Sequence, residues 1–479
     1  NFDFAKADVI VSFEADFLGS WISPIEYTKG YAKTRKLGPK KKTMSRHYQF
    51  ESNLSLTGAN ADYRAAIKPS QQGAAVIALH NAIASQTGGV ALSGGADIKY
   101  VKKAATDLLR AKGKSLVVSG SNDKAIQTVV GSINMMLENY GKTITFHDHL
   151  NTRKGDDTAF GQFVADAKAG KVGAAIFLNC NPVYNHGAGQ TLAEAMGNID
   201  FTVSTSDRND ETASLAQFVA PGHHYLESWN DAEPKKGQLS LSQPTISKLF
   251  DTRQQEESLM VWSGVSGTYF EYLKEGWKSL FTGSFADLGY QSFWDKCLQD
   301  GVYYVEQDAA EETPGTFDIT SAASEIAANY KGSGFELALY QKVSIGDGTQ
   351  ANNPWLHETP DVITKATWDN YVTVSIADAN DMGITEFEGK ANMVNLSVGG
   401  TVLKLPVVIQ PGQAKGTVGL ALGYGRSKAG RVADNLGVNA YPFVNALNGT
   451  TNYTVSTGVS LEVLEEQYQV ARTQTHQTY

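Results

Sequence analysis

The first half of the chain repeats one pattern. A short apolar run, rich in β-branched residues, ends in glycine, serine, asparagine or proline and adjoins an amphipathic stretch with helical spacing. Apolar strands that alternate with helices are typical of parallel sheets covered by helices on both faces. We therefore predict a doubly wound α/β fold for residues 1–250. The predicted strands are 8–13, 47–51, 115–118, 143–146, 174–178 and 201–204, and the predicted helices are 23–36, 98–112, 125–140, 161–169 and 190–196.

Residues 251–345 lose this alternation and are dense in aromatic side chains. The spacing of the aromatic residues is partly helical, which predicts packed helices; a surface for a partner protein is the alternative. The aromatic residues are Trp262, Tyr269, Phe270, Tyr272, Trp277, Phe281, Phe285, Tyr290, Phe293 and Trp294.

Residues 346–479 change to short alternating strands separated by turns. The strand-like stretches are 371–376, 391–398, 401–409 and 417–422, with turns at Gly399-Gly400 and Pro411-Gly412. Regularly spaced short strands with glycine turns predict a small β-barrel. The fold class expected for the whole chain is therefore α/β followed by a C-terminal β-barrel.

The net charge of −9 argues against a nucleic-acid partner. Such a partner requires a basic face that displaces phosphate counterions.

No apolar run reaches the roughly 18 residues that cross a bilayer, so membrane association is expected only through partners or through further chain. The chain begins at Asn1 and ends at Tyr479 without recognisable start or stop signals, and we expect it to be a fragment of a longer protein.

The two cysteines, Cys180 and Cys297, lie far apart and lack CxxC spacing. A cubane iron–sulfur cluster usually needs four thiolates, so we expect none in this chain, nor a cysteine-based zinc site. The two residues are either small buried hydrophobes or the partners of one disulfide.

Several stretches in order along the chain carry a family resemblance. The runs Thr367–Asn370, Leu405–Gly412 and Gly423–Arg426 resemble the C-terminal barrel domain of the molybdopterin oxidoreductase superfamily, closest to the complex iron–sulfur enzymes related to polysulfide reductase. Four further stretches narrow the resemblance to the B subunit of bacterial alternative complex III, with residues 251–342 the weakest part. These stretches are 8–24, 44–62, 224–232 and 355–361.

The resemblance implies a cofactor-free half of a fused subunit. In that family a molybdopterin-enzyme-like half without molybdenum precedes a ferredoxin-like half that holds iron–sulfur clusters. The implied partners are that iron–sulfur half, a multihaem cytochrome c subunit and quinol-binding integral membrane subunits. The implied place is the periplasmic side of the bacterial inner membrane, where the assembly oxidises quinol and passes electrons to cytochrome c or a similar acceptor.

Three loops at predicted strand ends are candidates for a vestigial pterin groove: 119–122, 179–184 and 205–209. Ligands of open α/β sheets bind beyond the carboxyl ends of strands, and small polar residues there offer donors to phosphates. The alternative is ordinary turns and helix caps, with Ser121, Asn122 and Asp207 suited to capping. The groove candidates are Ser119, Gly120, Ser121, Asn122, Asn181 and Asp207; no catalytic or metal-binding residue is expected.

Other potentially functional side chains can be explained by ordinary structural roles. Cys180 has no activating neighbour in sequence. The pairs His147/His149 and His223/His224 lack a third metal ligand, so hydrogen-bonded histidines are expected. Arg426 forms a salt bridge or faces the groove. The basic run from Arg35 to Lys42 is either a solvated loop or a contact with lipid headgroups or an acidic partner.

The main hypothesis is a structural subunit that keeps a catalytic fold without the catalyst. An active molybdenum or tungsten bis-pterin oxidoreductase of the polysulfide-reductase type is the alternative, which requires a metal ligand and usually a cysteine-rich cluster domain. A stand-alone binding protein that uses the aromatic segment is a third hypothesis.

Overall fold

A computed structural model describes residues 1–281, 289–305 and 314–474. Phe285, one of the aromatic residues named above, and the last five residues lie outside this description. The described residues form two compact units. The larger unit contains residues 2–145, 185–189 and 314–474, and the smaller unit contains residue 1 with 146–184, 190–281 and 289–305.

The strands of the described chain are numbered in chain order. They are β1 (Val9–Phe13), β2 (Arg46–Glu51), β3 (Tyr63–Ala66), β4 (Ser115–Ser119), β5 (Ala174–Phe177), β6 (Phe201–Ser204), β7 (Phe218–Val219), β8 (Asn230–Lys235), β9 (Gln238–Ser242), β10 (Val302–Tyr304), β11 (Phe335–Tyr340), β12 (Val372–Val374), β13 (Glu386–Phe387), β14 (Lys390–Val398), β15 (Thr401–Ile409), β16 (Thr417–Ala421), β17 (Asn445–Leu447), β18 (Thr450–Asn452) and β19 (Thr454–Gln469).

The helices are numbered in the same way. They are α1 (Pro24–Arg35), α2 (Leu56–Ala59), α3 (Gln72–Thr87), α4 (Val101–Arg110), α5 (Lys124–Met136), α6 (Asp157–Lys168), α7 (Pro182–Asn185), α8 (Gly189–Ala195), α9 (Gln255–Trp262), α10 (Tyr269–Gly276), α11 (Tyr290–Asp300), α12 (Ile319–Asn329), α13 (Pro354–Glu358) and α14 (Ile376–Met382). Within the described chain no helix is both long and apolar enough to span a membrane.

The larger unit opens with a parallel sheet in the order β3-β2-β1-β4. Every residue of β1 and β4 is buried, which means that both faces of these strands are covered, as predicted. The core on this sheet is formed by α3, α4 and α5 and includes Ile326 of α12, which joins from the far end of the chain. Helix α5 begins where Asp123 accepts a hydrogen bond from the Ala125 amide, and its buried face carries apolar residues at helical spacing.

The barrel of the larger unit confirms the predicted C-terminal architecture. Its strands follow the order β14-β15-β12-β16-β11-β19, and β19 pairs with β14 to close the ring of six. Closure removes the exposed strand edges that an open sheet would leave. Strand β11 is a barrel strand although it precedes residue 346, where the predicted barrel domain begins.

The smaller unit contains a second parallel sheet, β5-β6-β7, and an antiparallel sheet, β10-β9-β8. The antiparallel sheet packs with α10 and α11 around buried Trp277, Phe293 and Trp294. The aromatic segment is thus largely its own core, as the prediction of packed helices requires, although Tyr272 and Trp262 are exposed. Because β9 precedes residue 250 and pairs with β10, the predicted domain bounds at 250 and 345 divide the chain differently from the two units.

The second parallel sheet differs from the prediction because one of its faces is open. Ile176, Val203 and Phe218 are paired in register and therefore share that face. Ile176 is 46% exposed and Phe218 56% exposed, whereas Val203 on the central strand between them is buried. The opposite face packs on Ala167, Ala195 and Ile199.

The predicted strand 143–146 is wrong. Ile144 makes only isolated bridges with Phe2 and Tyr140. The amides of Thr143 and Ile144 both donate to the Asn139 carbonyl, which folds this stretch into a turn. Buried Asn139 also bonds Asn134 and Ser115, so local polar contacts outweigh the β propensity of the threonines and isoleucine.

Candidate functional site

The carboxyl edge of the first sheet is the natural place for a ligand in this fold. The first strand, β1, has β2 on one side and β4 on the other. The chain runs from β1 to β2 and β3 on one side and then crosses to β4 on the other side. Such a switch point lies where ligands bind in open parallel sheets. The edge is built from the residues that follow these strands, beginning with Glu14 after β1 and Gly120 after β4.

The predicted loop 119–122 is closed against the end of β1. The Gly120 amide donates to the Phe13 carbonyl oxygen at 2.8 Å. A Cβ atom at Gly120 would lie 2.6 Å from the Glu14 carbonyl oxygen, so this position accepts only glycine without a backbone shift. The switch point is therefore occupied by a contact between the chain's own two loops.

The polar groups of the same loop serve the start of α5. The Ser121 hydroxyl accepts from the Asp123 amide at 3.1 Å, and the Gln127 amide donates to the Ser121 carbonyl oxygen at 2.6 Å. Asn122 donates to the Thr451 carbonyl oxygen at 3.0 Å. We predicted Ser121 or Asn122 as a helix cap, whereas the cap is Asp123.

The two loops after β5 and β6 meet in the smaller unit. The Asn179 amide donates to the Thr205 hydroxyl at 2.9 Å. Asn181 donates to the Glu211 carboxylate at 2.7 Å, and its own side-chain oxygen accepts from the Thr212 hydroxyl at 2.7 Å. The amide of Asn181 is thereby committed on both sides.

Asp207 pairs with its sequence neighbour Arg208 through two contacts of 2.9 Å. These hydrogen bonds hold the pKa of the Asp207 carboxyl below its ordinary value. The carboxylate is therefore an ion-pair partner at neutral pH, and it caps no helix.

The groove candidates Asn181 and Asp207 belong to the smaller unit, and Ser119, Gly120, Ser121 and Asn122 belong to the larger one.

The cysteines are free: Cys180 is exposed and Cys297 is buried, so the disulfide alternative is wrong. Partial desolvation, and then the charge of Asp210, raises the pKa of the Cys180 thiol. A reactive thiol needs the opposite shift.

The histidine pairs do not converge on a metal site. His149 contacts the Phe146 carbonyl oxygen at 3.2 Å and His223 contacts the Thr252 carbonyl oxygen at 2.9 Å. The His224 ring accepts from the Leu226 amide at the start of a short 3-10 helix. Across the described ranges, no three histidine, cysteine, aspartate or glutamate side chains are grouped to hold a metal ion.

Sequence reasoning missed a cluster of ionisable side chains at the edge of the first sheet. Glu14 has a left-handed backbone, with φ of 56°, and its carboxylate accepts from the Ser52 amide at 2.8 Å. Glu51, at the end of β2, is 1% exposed and accepts from Arg64 Nε at 2.5 Å. Burial, and then the charge of Glu51, raises the pKa of Glu14 to about 8.

The signal for this cluster was available but weak. An acidic residue directly follows the apolar strand at Glu14 and another ends the next strand at Glu51. Parallel strands bring their carboxyl ends to one edge, so the two acids were predictable neighbours. Their burial was not, because it depends on the barrel.

A loop of the barrel covers this edge. The Ala414 amide donates to the Ser52 carbonyl oxygen at 2.9 Å, and Arg64 donates to the Gly412 carbonyl oxygen. Pro411-Gly412, part of the motif that carries the barrel resemblance, thus belongs to a lid on the sheet. Of the three ionisable side chains at this edge, Arg64 joins the sheet to the barrel loop, Glu51 is its ion-pair partner, and Glu14 favours its neutral form.

Arg426, the last residue of the barrel motif, is buried, and its guanidinium donates to the Gly348 carbonyl oxygen at 2.7 Å. Nearby in the barrel, the Lys342 ammonium lies 4.4 Å from the Tyr371 ring centroid and 5.0 Å from that of Tyr424. Burial lowers the pKa of Lys342 to about 8. Both cations are thus engaged within the larger unit, Arg426 by Gly348 and Lys342 by the two tyrosine rings.

A groove of about 430 Å³ in the larger unit is lined by Lys68, Gly334, Phe335, Asp378, Lys415 and Gly416. Its cations are already engaged. Lys68 donates to the Gly334 carbonyl oxygen at 2.9 Å, and Lys415 pairs with Asp381 at 2.7 Å. Asp378 accepts from the Gly416 amide, so the groove presents few uncommitted groups to a ligand.

The side chains of the two predicted groove loops offer few donors to a molybdenum bis-pterin group, the cofactor of the alternative hypothesis. Its phosphates would need uncommitted donors at the strand ends, and the side chains of loops 119–122 and 179–184 are bonded to their own chain.

The chain is similar in structure to acetylene hydratase from Pelobacter acetylenicus. The similarity covers 96% of this chain and 78% of that one, with a TM-score of 0.61 and 13% sequence identity. No protein-family model matches the chain, and no curated protein matches it. At this identity the likeness shows the fold alone. At a coarse level, therefore, the chain has a mixed α/β fold with a six-stranded C-terminal barrel, and it shares this fold with acetylene hydratase.

Proposed function

We propose that this chain is a non-catalytic scaffold part of a respiratory quinol:electron-acceptor oxidoreductase complex. It supports the iron–sulfur and haem subunits, and the acceptor is cytochrome c or a similar protein. The proposal joins the coarse fold to the sequence resemblance to the B subunit of alternative complex III.

One observation carries the non-catalytic part of the proposal. Gly120 packs against the Glu14 backbone at the switch point of the first sheet, so the two loops that border the usual ligand position contact each other there. The buried charges of Glu51 and Arg64 beneath the barrel lid have a structural role there.

The partners and the location rest on the resemblance. They are the ferredoxin-like iron–sulfur half, a multihaem cytochrome c subunit and quinol-binding integral membrane subunits, on the periplasmic side of the bacterial inner membrane. The net charge of −9 is compatible with a basic cytochrome as a docking partner.

The first experiment is elemental analysis of the purified protein for molybdenum and tungsten, with extraction of pterin as a cross-check. The proposal expects neither metal nor pterin above background. Either metal near one equivalent per chain, together with extractable pterin, overturns the proposal in favour of an active bis-pterin oxidoreductase.

The second experiment tests the assembly. The protein is isolated with mild detergent from membranes of its source organism, and haem c absorbance, iron–sulfur EPR signals and quinol oxidation are followed through the same fractions. Co-migration of all three with the chain is expected. Migration of the chain without haem or quinol oxidation contradicts the scaffold role.

A further inference from the structure

One short segment of the chain carries positive charge without any acidic residue. Eight of its 41 lysines and arginines lie between Tyr27 and Phe50, where none of its 50 acidic residues is found. The remainder is therefore more acidic than the net charge of −9 suggests. A segment of such opposite sign creates a local positive potential that attracts an anionic partner.

Helix α1 presents part of this charge on one face. Its Tyr27 and Tyr31 are buried, whereas Lys29 and Lys33 are exposed, and Lys36 follows at the helix end. Residues 29, 33 and 36 share a face at helical spacing. Ile25, which is 85% exposed, begins the same stripe.

The loop after α1 continues this surface. Lys41 turns back and donates to the Lys33 and Thr34 carbonyl oxygens at 2.9 Å and 2.6 Å, which caps the helix. Lys40 and Lys42, on either side of it, are exposed. Two aliphatic side chains lie among these cations: Leu37 is 55% exposed and Met44 48% exposed.

The arginines of the segment are committed to acids while most lysines are not. Arg35 forms two hydrogen bonds of 2.8 Å with Asp62, and Arg46 pairs with Asp107 at 2.8 Å. Within the described part of the chain five lysines of the segment form no ion pair, and we call them the basic surface: Lys29, Lys33, Lys36, Lys40 and Lys42.

We propose that the basic surface docks on an anionic lipid bilayer. Uncommitted lysines attract anionic headgroups, and the neighbouring Leu37 and Met44 can enter the interfacial region. An acidic protein is the less favoured partner, because protein interfaces are depleted in lysine and use arginine for paired contacts. This inference goes beyond the proposed function and can be tested without it.

The test is co-sedimentation of the purified chain with vesicles of phosphatidylcholine, with and without phosphatidylglycerol, at low and high salt. We expect binding only to the anionic vesicles and release by salt. Replacing three lysines, Lys36→Gln, Lys40→Gln and Lys42→Gln, weakens binding about a hundredfold, since each lysine near a bilayer contributes roughly fivefold.

The control removes the same charge from exposed positions elsewhere: Lys124→Gln, Lys168→Gln and Lys331→Gln. It changes vesicle binding by less than about tenfold, the loss expected from net charge alone. A second variant, Leu37→Ser with Met44→Ser, weakens vesicle binding about tenfold and leaves binding to polyglutamate unchanged.

Three results overturn the proposal. One is equal binding to neutral and anionic vesicles. Another is an equal loss in the two lysine variants. The third is binding to polyglutamate without binding to anionic vesicles, which assigns the surface to an acidic protein. Circular dichroism of each variant separates lost binding from lost folding.

Discussion

The two parallel sheets of this molecule arise from the same sequence pattern but differ in how many of their faces are covered by helices. In the first sheet, β1 and β4 are buried throughout, with helices on both faces. In the second, Ile176 and Phe218 are exposed on a face that helices leave uncovered. Local periodicity thus specifies strands and helices, while the number of covering layers depends on chain that is distant in sequence.

The covering of the first sheet shows this dependence. Ile326 of α12 and the loop at Gly412 reach it from the C-terminal part of the chain. A strand with apolar residues on both sides requires a covering layer on each face of its sheet. The second sheet receives only one within the described residues.

The largest difference between the sheets is expected from removing one phenylalanine in each. Phe50→Ala, at a side chain 1% exposed and stacked on Phe13, lowers the free energy of unfolding by about 3–5 kcal/mol because it leaves a cavity. The matched change Phe218→Ala costs less than about 1 kcal/mol. Chemical denaturation of both variants checks this; similar losses would mean that the second face is covered in solution.

The next effect is a pH dependence that arises from Glu14 at the edge of the first sheet. The pKa of Glu14 is raised from 4.5 to about 8. The protonated carboxyl therefore makes its full contribution to the stability of the folded state below pH 4.5. That stability is lost as pH rises toward 8, where the unfolded state releases a proton that the folded state holds. Glu14→Gln keeps an acceptor for the Ser52 amide and removes this loss.

We expect the stability of Glu14→Gln relative to the native chain to increase by up to about 4 kcal/mol between pH 5 and pH 8. Urea denaturation across that range measures the difference. Parallel pH profiles for the two proteins would contradict a protonated Glu14.

A smaller effect is expected from Gly120→Ala at the closed switch point. The added Cβ meets the Glu14 carbonyl oxygen at 2.6 Å, so the loops must separate, at a cost of about 1–3 kcal/mol. Thermal unfolding checks the loss. An unchanged midpoint would show that the edge has room and would reopen it as a ligand site.

The smallest effect has the opposite sign and lies in the helix that covers the second sheet. Gly161 is exposed within α6, and a Cβ there meets no atom within 4 Å. Gly161→Ala therefore raises stability by about 0.5–1 kcal/mol through helix propensity. A loss in the same unfolding assay would place an unrecognised contact at this position.

The sequence predicted most of the framework. Strands at 115–118 and 201–204, the helix at 125–140 and the barrel strands at 391–398 and 401–409 agree with β4, β6, α5, β14 and β15 to within a few residues. Long apolar periodicity makes such elements predictable. The strand expected at 143–146 failed because Asn139 offers its carbonyl oxygen to two successive amides.

The site was less predictable than the fold. The loops at strand ends were located correctly, but the roles of Asn122 and Asn181 depend on partners 329 and 30 residues away along the chain. Asp207, by contrast, pairs with its sequence neighbour Arg208. The raised pKa of Glu14 arises from desolvation and then from the charge of Glu51, neither of which a local pattern contains. Charges at strand ends can be predicted, but their environment is a tertiary property.

The discontinuous path of the larger unit has a consequence for how the protein is made. Residues 146–281 must leave the ribosome before α12 can complete the core around Ile77 and Val129. Strand β19, which closes the barrel against β14 and β11, is synthesised last. We expect the first sheet to remain partly uncovered while the smaller unit is synthesised and folds. Its exposed apolar surface is prone to aggregation during synthesis, so this is the period when a chaperone is most needed.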